Sequence, residues 1–273
     1  MNYLSVLNLT KEPFSTSPDP SFFFRSSEHL SALNRLEIAI RLKRGLSIIL
    51  GDVGTGKTTI ARALLQIFHE EPQYVFHMIL DPDFRSEYQF LSHLTKLFGV
   101  SPFFRSSIDH RDSIEKYLFE KCVEEEKTVV LVIDEGQKLK LPDLEILRIL
   151  LNYETNDRKL LQLVILAQLE FLPKIKRVKN FLDRVCLKYI LKPLSEEETT
   201  EMIYFRLHQA GFPNGKDLFM PGALRRIYEY TQGYPRQITL ICHNCLEHLV
   251  MSQNRLITEK FMEGLLMEEV LWQ

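Results

Sequence analysis

The sequence predicts an α/β protein, a parallel sheet covered by helices on both faces, followed by a smaller all-helical region. Three observations carry this expectation. As far as Lys192, short β-branched runs alternate with longer segments of helical periodicity, the pattern of β-α-β crossovers. The first run leads through a glycine-rich turn into a helical segment, as nucleotide-binding crossovers do. Beyond Lys192-Pro193-Leu194 no convincing strand signal recurs.

The strand signals fall at Leu46–Leu50, Tyr74–Leu80, Val129–Ile133, Leu161–Ala167 and Leu187–Leu191. Their near-continuous apolar character suits strands buried on both faces. Between them Glu28–Leu42, Lys57–His69, Glu87–Phe98, Ser113–Glu126 and Asp143–Glu154 place apolar residues at three- and four-residue steps, with Ser, Asp or Pro near several starts. Ser195-Glu-Glu-Glu198 has the spacing of a capping box and opens the helical region. Three or four helices are expected from there to Gln273, punctuated by Gly211-Phe-Pro213, Pro221-Gly222 and Gly233-Tyr-Pro235. The expected division is a larger domain over residues 1–192 and a helical one over 193–273.

Composition narrows the function classes. At 45% hydrophobic and 26% charged residues the chain can bury a core throughout and does not read as disordered. No apolar run approaches the roughly 20 residues that span a bilayer, and MNYLSVLNLTKEPF lacks the features of a signal peptide, so the cytoplasm is the expected location. A net charge of −2 argues against an all-over nucleic-acid surface. The charge is nevertheless uneven, because Lys174, Lys176, Arg177, Lys179, Arg184, Lys188 and Lys192 form a basic strip ahead of an acidic carboxy-terminal region. Four cysteines in 273 residues make no disulfide framework. Cys242, Cys245 and His248 give C-x-x-C-x-x-H at helical spacing, but the amphipathic context ITLICHNCLEHLV predicts a core or interface helix rather than a metal site.

Two motifs carry chemistry. Gly51-Asp-Val-Gly-Thr-Gly56-Lys57-Thr58 fits G-x-x-x-x-G-K-[ST] after a strand and at a helix start. Its glycines let backbone N–H groups wrap phosphate oxygens, Lys57 reaches the β- and γ-phosphates, and Thr58 is a Mg²⁺ ligand. The expected ATP-binding residues are therefore Gly51, Asp52, Val53, Gly54, Thr55, Gly56, Lys57, Thr58 and Thr59. Thr128-Val-Val-Leu-Val-Ile-Asp134-Glu135 is an apolar strand ending in two carboxylates. At the carboxyl end of a parallel strand Asp134 is placed to hold the metal, and Glu135 to orient and polarise the attacking water.

These motifs, with Lys11-Glu-Pro-Phe14, Pro18-Asp-Pro20, VVLVIDEGQKL, LRILLNYETNDRKLLQLVILAQLEFL, DRVCLKYILKPLSEEET and Gly233-Tyr-Pro-Arg236-Gln-Ile, resemble the AAA+ ATPases. Within them the chain is similar to the ExeA/GspA group of general secretion pathway ATPases and to MshM-like pilus ATPases. The NYETNDRKLLQLVILAQ stretch is the most specific part of the likeness. The resemblance implies a RecA-like three-layer P-loop domain with a helical lid, and nucleotide between the lid and the carboxyl ends of the strands. It also implies a catalytic set of Lys57, Glu135, Gln168 and Arg184. Gln168 matches sensor 1, Arg184 the finger that enters a neighbouring subunit's site, and Arg236 the nucleotide-contacting sensor 2. The expected cofactors are ATP and Mg²⁺, and the expected assembly a homo-oligomeric ring, a hexamer in such relatives.

The resemblance leaves some points open. Phe14 either packs near the adenine or, with Phe22, Phe23 and Phe24, seals the domain edge. Ala167-Gln168-Leu169 stands where the group usually has Gly-Gln-Pro, which spares the polar sensor. Fuller secretion relatives continue into a transmembrane helix and a peptidoglycan-binding domain, so this sequence is either a standalone ATPase or part of a longer protein. An inner-membrane secretion or pilus protein is the expected partner, which would place the protein peripherally at that membrane. DNA is the lesser candidate, in the manner of the TnsC/TniB/MuB transposition regulators.

Overall fold

A computed structural model describes residues 3–15, 19–104, 106–212, 215, 218–252 and 254–270. Pro18, Pro213, Trp272 and Gln273, singled out in the sequence, lie outside the described residues. The elements run α1 (Tyr3–Val6), α2 (Ser27–Arg41), β1 (Leu46–Gly51), α3 (Lys57–Ile67), β2 (Tyr74–Ile79), α4 (Glu87–Phe98), α5 (Ser107–Phe119) and β3 (Thr128–Ile133). They continue with α6 (Leu141–Leu150), β4 (Leu161–Ala167), α7 (Phe171–Ile175), β5 (Val185–Leu191), α8 (Glu196–Gln209), α9 (Pro221–Thr231), α10 (Pro235–Met251) and α11 (Glu259–Val270).

The five strands form one sheet in the order β2-β3-β4-β1-β5, and every pairing is parallel. This is the predicted α/β architecture. Every residue of β1, β3 and β4 is buried, which explains why these strands read as unbroken apolar runs. The edge strands differ. β5 alternates, with Cys186, Lys188 and Ile190 exposed and Leu187 and Tyr189 half-buried, because one of its faces meets water. On the covered face the Arg35 guanidinium lies 5.5 Å from the Tyr189 ring centre. One face of the sheet buries Phe90, Leu94 and Phe98 of α4, Leu118 of α5 and Leu144, Leu147 and Leu150 of α6 in a single cluster with Leu131, Ile133, Leu163 and Ile165.

Gln162 is the one polar residue inside β4, and both ends of its amide are used. Its Oε1 accepts the Gly45 N–H at 2.7 Å and its Nε2 donates to the Lys159 carbonyl at 2.9 Å. It thus satisfies the chain where it enters β1, at the amino edge of the sheet.

Most helix boundaries fall within two residues of the sequence reading, and α5 and α6 depart further. α5 starts at Ser107 rather than Ser113, because Ser106 and Asp109 form a capping box. It runs on through a wide turn over Glu120–Glu124, where the buried Cys122 thiol donates to the Leu160 carbonyl. α6 stops at Leu150, four residues short of the expected Glu154, because the chain turns there into a small antiparallel bridge, Glu154 to Lys159.

The chain separates into two compact units. One holds the sheet, with His29–Val53 and Ile60–Leu191. The other takes Met1–Glu28, Gly54–Thr59 and Lys192–Gln273, so the amino-terminal segment belongs with the carboxy-terminal helices. In this helical unit α8 starts at the capping box read from the sequence, Ser195 with Glu198. Phe14 is buried in its core, edge-on to Phe219 with ring centres 6.3 Å apart, and Phe22 is buried with it. Arg206 of α8 ties the segment down. Its Nη1 donates to the Thr239 hydroxyl at 3.0 Å and to the Pro13 carbonyl at 3.4 Å, and its Nε to the Phe22 carbonyl at 3.4 Å. Cys242 and Cys245 are fully buried in the same core, where the Cys245 thiol meets the Met262 sulfur at 3.3 Å. Burial pushes the Cys242 thiol well above its ordinary value.

A part-buried pair gives the sheet unit a pH response. His77 of β2 meets the Tyr117 hydroxyl at 2.9 Å and packs on Phe98, and burial pushes the imidazole down to about 4. Between its ordinary value near 6.5 and about 4, the unfolded chain binds a proton that the folded chain does not. Stability should therefore fall as pH drops through this window. In His77→Gln, which keeps a polar partner for Tyr117 without the titration, melting temperatures at pH 7 and pH 5 should differ less than in the wild type.

Candidate active site

The phosphate loop leaves the carboxyl end of β1. Gly54 and Gly56 have φ of +83° and +98°, values that L side chains rarely adopt. Thr55 and Lys57 are buried, Thr58 and Thr59 half-buried, and Asp52 and Val53 exposed. Lys57 opens α3, so the loop ends on a helix start, the arrangement that binds phosphate. Arg236 sits beside this loop. Its backbone N–H donates to the Gly54 carbonyl at 3.3 Å, and a Cβ placed on Gly54 would lie 3.0 Å from its Cβ.

The turn that puts Arg236 there depends on Gly233. This residue has a φ of +75°, and a Cβ on it would fall 2.0 Å from the Leu194 carbonyl oxygen, while Leu194 N–H donates to the Gly233 carbonyl at 2.9 Å. The glycine of the Gly-Tyr-Pro-Arg motif is thus required by close backbone approach as well as by conformation.

In the sheet unit, β3 delivers the acidic pair. Asp134 is buried, and its N–H donates to the Ile79 carbonyl at 2.8 Å, carrying the β2–β3 ladder one step past the strand. Its Oδ1 accepts the Glu135 N–H at 2.9 Å. Glu135 takes left-handed backbone angles, φ 51° and ψ 35°. Gly136 follows against β4, where a Cβ would lie 2.4 Å from Ile165 Cγ2. The turn ends on Gln137, whose side-chain Nε2 donates to Glu135 Oε2 at 2.5 Å and whose Oε1 accepts the Gln168 N–H at 3.1 Å. Lys174 of α7 donates to the Gln137 and Leu139 carbonyls, the latter at 2.8 Å. Asp134, Glu135 and Gln168 therefore come together at the carboxyl ends of β3 and β4, with Gln137 as the link.

Arg184 lies in the short turn that leads into β5. Its Nη2 donates to the Asn152 side chain and its Nη1 to the Asn180 carbonyl at 3.2 Å. Within the basic strip, then, Lys174 and Arg184 are committed to contacts of the sheet unit, whereas Lys176, Arg177, Lys179, Lys188 and Lys192 are exposed. Gln137 and Asn152 escape a motif-based reading of the sequence. The signal for Gln137 is its place two residues after the acidic pair; for Asn152, which meets its partner 32 residues on, no local signal exists.

The phosphate loop after β1, the acidic pair after β3 and the all-parallel sheet define a P-loop ATPase. A family model described as an AAA domain matches residues 40–175, about half of the sequence, and the chain belongs to the AAA+ ATPases. Over 253 residues it is 33% identical to general secretion pathway protein A of Aeromonas hydrophila. That alignment takes in 89% of this chain and 44% of the relative, so the chain spans less than half the length of the curated protein it matches. Among solved structures it is similar to Drosophila ORC bound to DNA, with a TM-score of 0.71 at 19% identity, over 98% of this chain and 66% of that one. It is similar also to the Aeropyrum pernix ORC2 protein (0.66, 15%, 93% and 70%) and to the Thermotoga maritima RuvB branch migration motor (0.57, 13%, 89% and 72%). At these identities the structures speak for the fold alone. No helix among the described residues is long and apolar enough to cross a membrane.

The Gly233 geometry gives a direct test. Gly233→Ala forces a methyl group against a backbone oxygen that cannot move aside without shifting the start of α8. The expected loss of stability in denaturant titration is about 2–3 kcal/mol, against a few tenths for an exposed alanine substitution elsewhere in the same helices.

Proposed function

We propose that this protein hydrolyses ATP with Mg²⁺ at sites shared between the subunits of a ring, and that the cycle serves a secretion or pilus machinery of the inner membrane. The observation that carries the catalytic part is the joint presence of a phosphate loop ending in Lys57-Thr58 and the buried Asp134 followed by Glu135, on strands of one parallel sheet. Lys57 neutralises phosphate charge, and Glu135 orients and polarises the attacking water. A threonine hydroxyl and a carboxylate are hard oxygen donors and suit a magnesium ion, so Thr58 and Asp134 are assigned to it. Bound there, Mg²⁺ supplies neutralising charge for the phosphate oxygens. Gln168 serves as the polar sensor and Arg236 as the lid arginine. Arg184 is assigned as the finger toward a neighbour's nucleotide, where a fixed guanidinium accelerates transfer by ~10³–10⁵.

The likeness to general secretion pathway protein A supports the secretion context, and with it goes our reading that the protein works peripherally at the inner membrane through a partner. A transposition-type role with DNA is favoured by the exposed Lys176, Arg177, Lys179, Lys188 and Lys192, a thinner track than the sequence suggested because Lys174 is engaged by backbone carbonyls and Arg184 by Asn152.

Lys57→Ala should lose ATP binding in an equilibrium titration, because the phosphate charge loses its partner. Glu135→Gln should bind ATP and leave it unhydrolysed. Wild-type turnover in that variant would remove Glu135 from the mechanism.

The shared site has its own test. Arg184→Ala should bind ATP normally and hydrolyse it ~10³-fold more slowly or worse. Mixing it with Glu135→Gln should restore turnover, since some interfaces then pair an intact Glu135 with an intact Arg184. Mixed oligomers that assemble and stay inactive would contradict a finger supplied in trans.

A further inference from the structure

The left-handed backbone of Glu135 places its side chain on neither a strand nor a helix, so no regular element aims the carboxylate. Gln137 does. The Gln168 N–H is a donor and needs an acceptor, which fixes the Gln137 oxygen on that side and turns the NH₂ toward Glu135 Oε2, 2.5 Å away. The residue is itself held from behind. It is 8% exposed, its carbonyl accepts from Lys174, and the preceding Gly136 fits against Ile165 with no room for a side chain.

We propose that Gln137 is a positioning residue for hydrolysis. It holds one oxygen of Glu135 so that the carboxylate is aimed at the attacking water, and it ties that aim to the backbone at Gln168. A disturbance of the turn after β4 then reaches Glu135 through a single side chain. The proposal rests on the role assigned to Glu135 above. It adds that the orientation of Glu135 is set by a glutamine two residues further along the same turn.

Gln137→Leu removes both hydrogen bonds and keeps the volume. Gln137→Glu keeps an acceptor for the Gln168 N–H and loses the donor to Glu135. Misplacing a reacting group by about 1 Å costs ~10²-fold in rate, so kcat for ATP should fall ~10–10²-fold in both variants. Affinity for a fluorescent ATP analogue and the KM for ATP should stay within about twofold of wild type, which a general loss of structure would not allow. In a Glu135→Gln background, Gln137→Leu should produce no further fall in single-turnover hydrolysis, because the group it positions is already gone. If Gln137→Leu does not fold, the isosteric Gln137→Glu decides. An unchanged or raised kcat in the folded single variants, or an additive loss in the double variant, overturns the proposal while leaving the ATPase assignment intact. Wild-type turnover in Glu135→Gln alone overturns both.

Discussion

The parallel ladder of β3, β4 and β1 is the constraint on which the rest depends. A parallel sheet sends all its strands out at the same edge, and here the registers fix how far each one reaches. Ile133 pairs with Ile165, which in turn pairs with Ile48, and Leu50 pairs with Ala167. Gln168 therefore stands level with Gly51, where the phosphate loop begins, and Asp134 two residues short of that level along the same sheet edge. Because the three strands are buried along their whole length, a slip in register would have to move apolar side chains on both faces at once. The site inherits its precision from that packing rather than from any contact of its own.

At the edge, the turn after β3 spends stability on shape. Left-handed angles at a residue with a side chain cost on the order of 1–2 kcal/mol, and Glu135 adopts them. The surrounding contacts over-determine the turn. Gly136 is pressed on Ile165, the Lys174 ammonium gathers two carbonyls, and Gln137 links both ends. A related solution holds the opposite edge, where Gln162 spans Gly45 and Lys159. In both places a side-chain amide with both ends satisfied ties down the chain where it enters or leaves the sheet.

Much of this was legible because it is local. Five strands of mostly apolar residues declare themselves by run length, the phosphate loop by glycine spacing, and the start of α8 by Ser195 and Glu198 three residues apart. The start of α5 obeys the same capping rule, but Ser106 and Asp109 lie outside the apolar periodicity that marked the helix, so the periodicity placed it too late. What stayed hidden is non-local. Arg206 joins Pro13, Phe22 and Thr239, and through it residues 1–28 pack with helices some 180 residues away in sequence. No spacing rule reports such a contact.

The same reasoning bears on Arg184. Within the sheet unit the guanidinium is held by Asn152 and by the carbonyl of Asn180, itself in left-handed conformation, while its buried Nε has no hydrogen-bond partner among the described residues. A free arginine on a turn would spread over many rotamers, and each would have to be given up on meeting a neighbour's phosphate. Two neutral acceptors restrict it beforehand without neutralising its charge. Neutral acceptors also bind a guanidinium less strongly than phosphate oxygens do, so in the proposed finger role the exchange of one for the other would run toward the nucleotide. Asparagines, rather than a carboxylate, are therefore the partners suited to an arginine assigned to act across an interface.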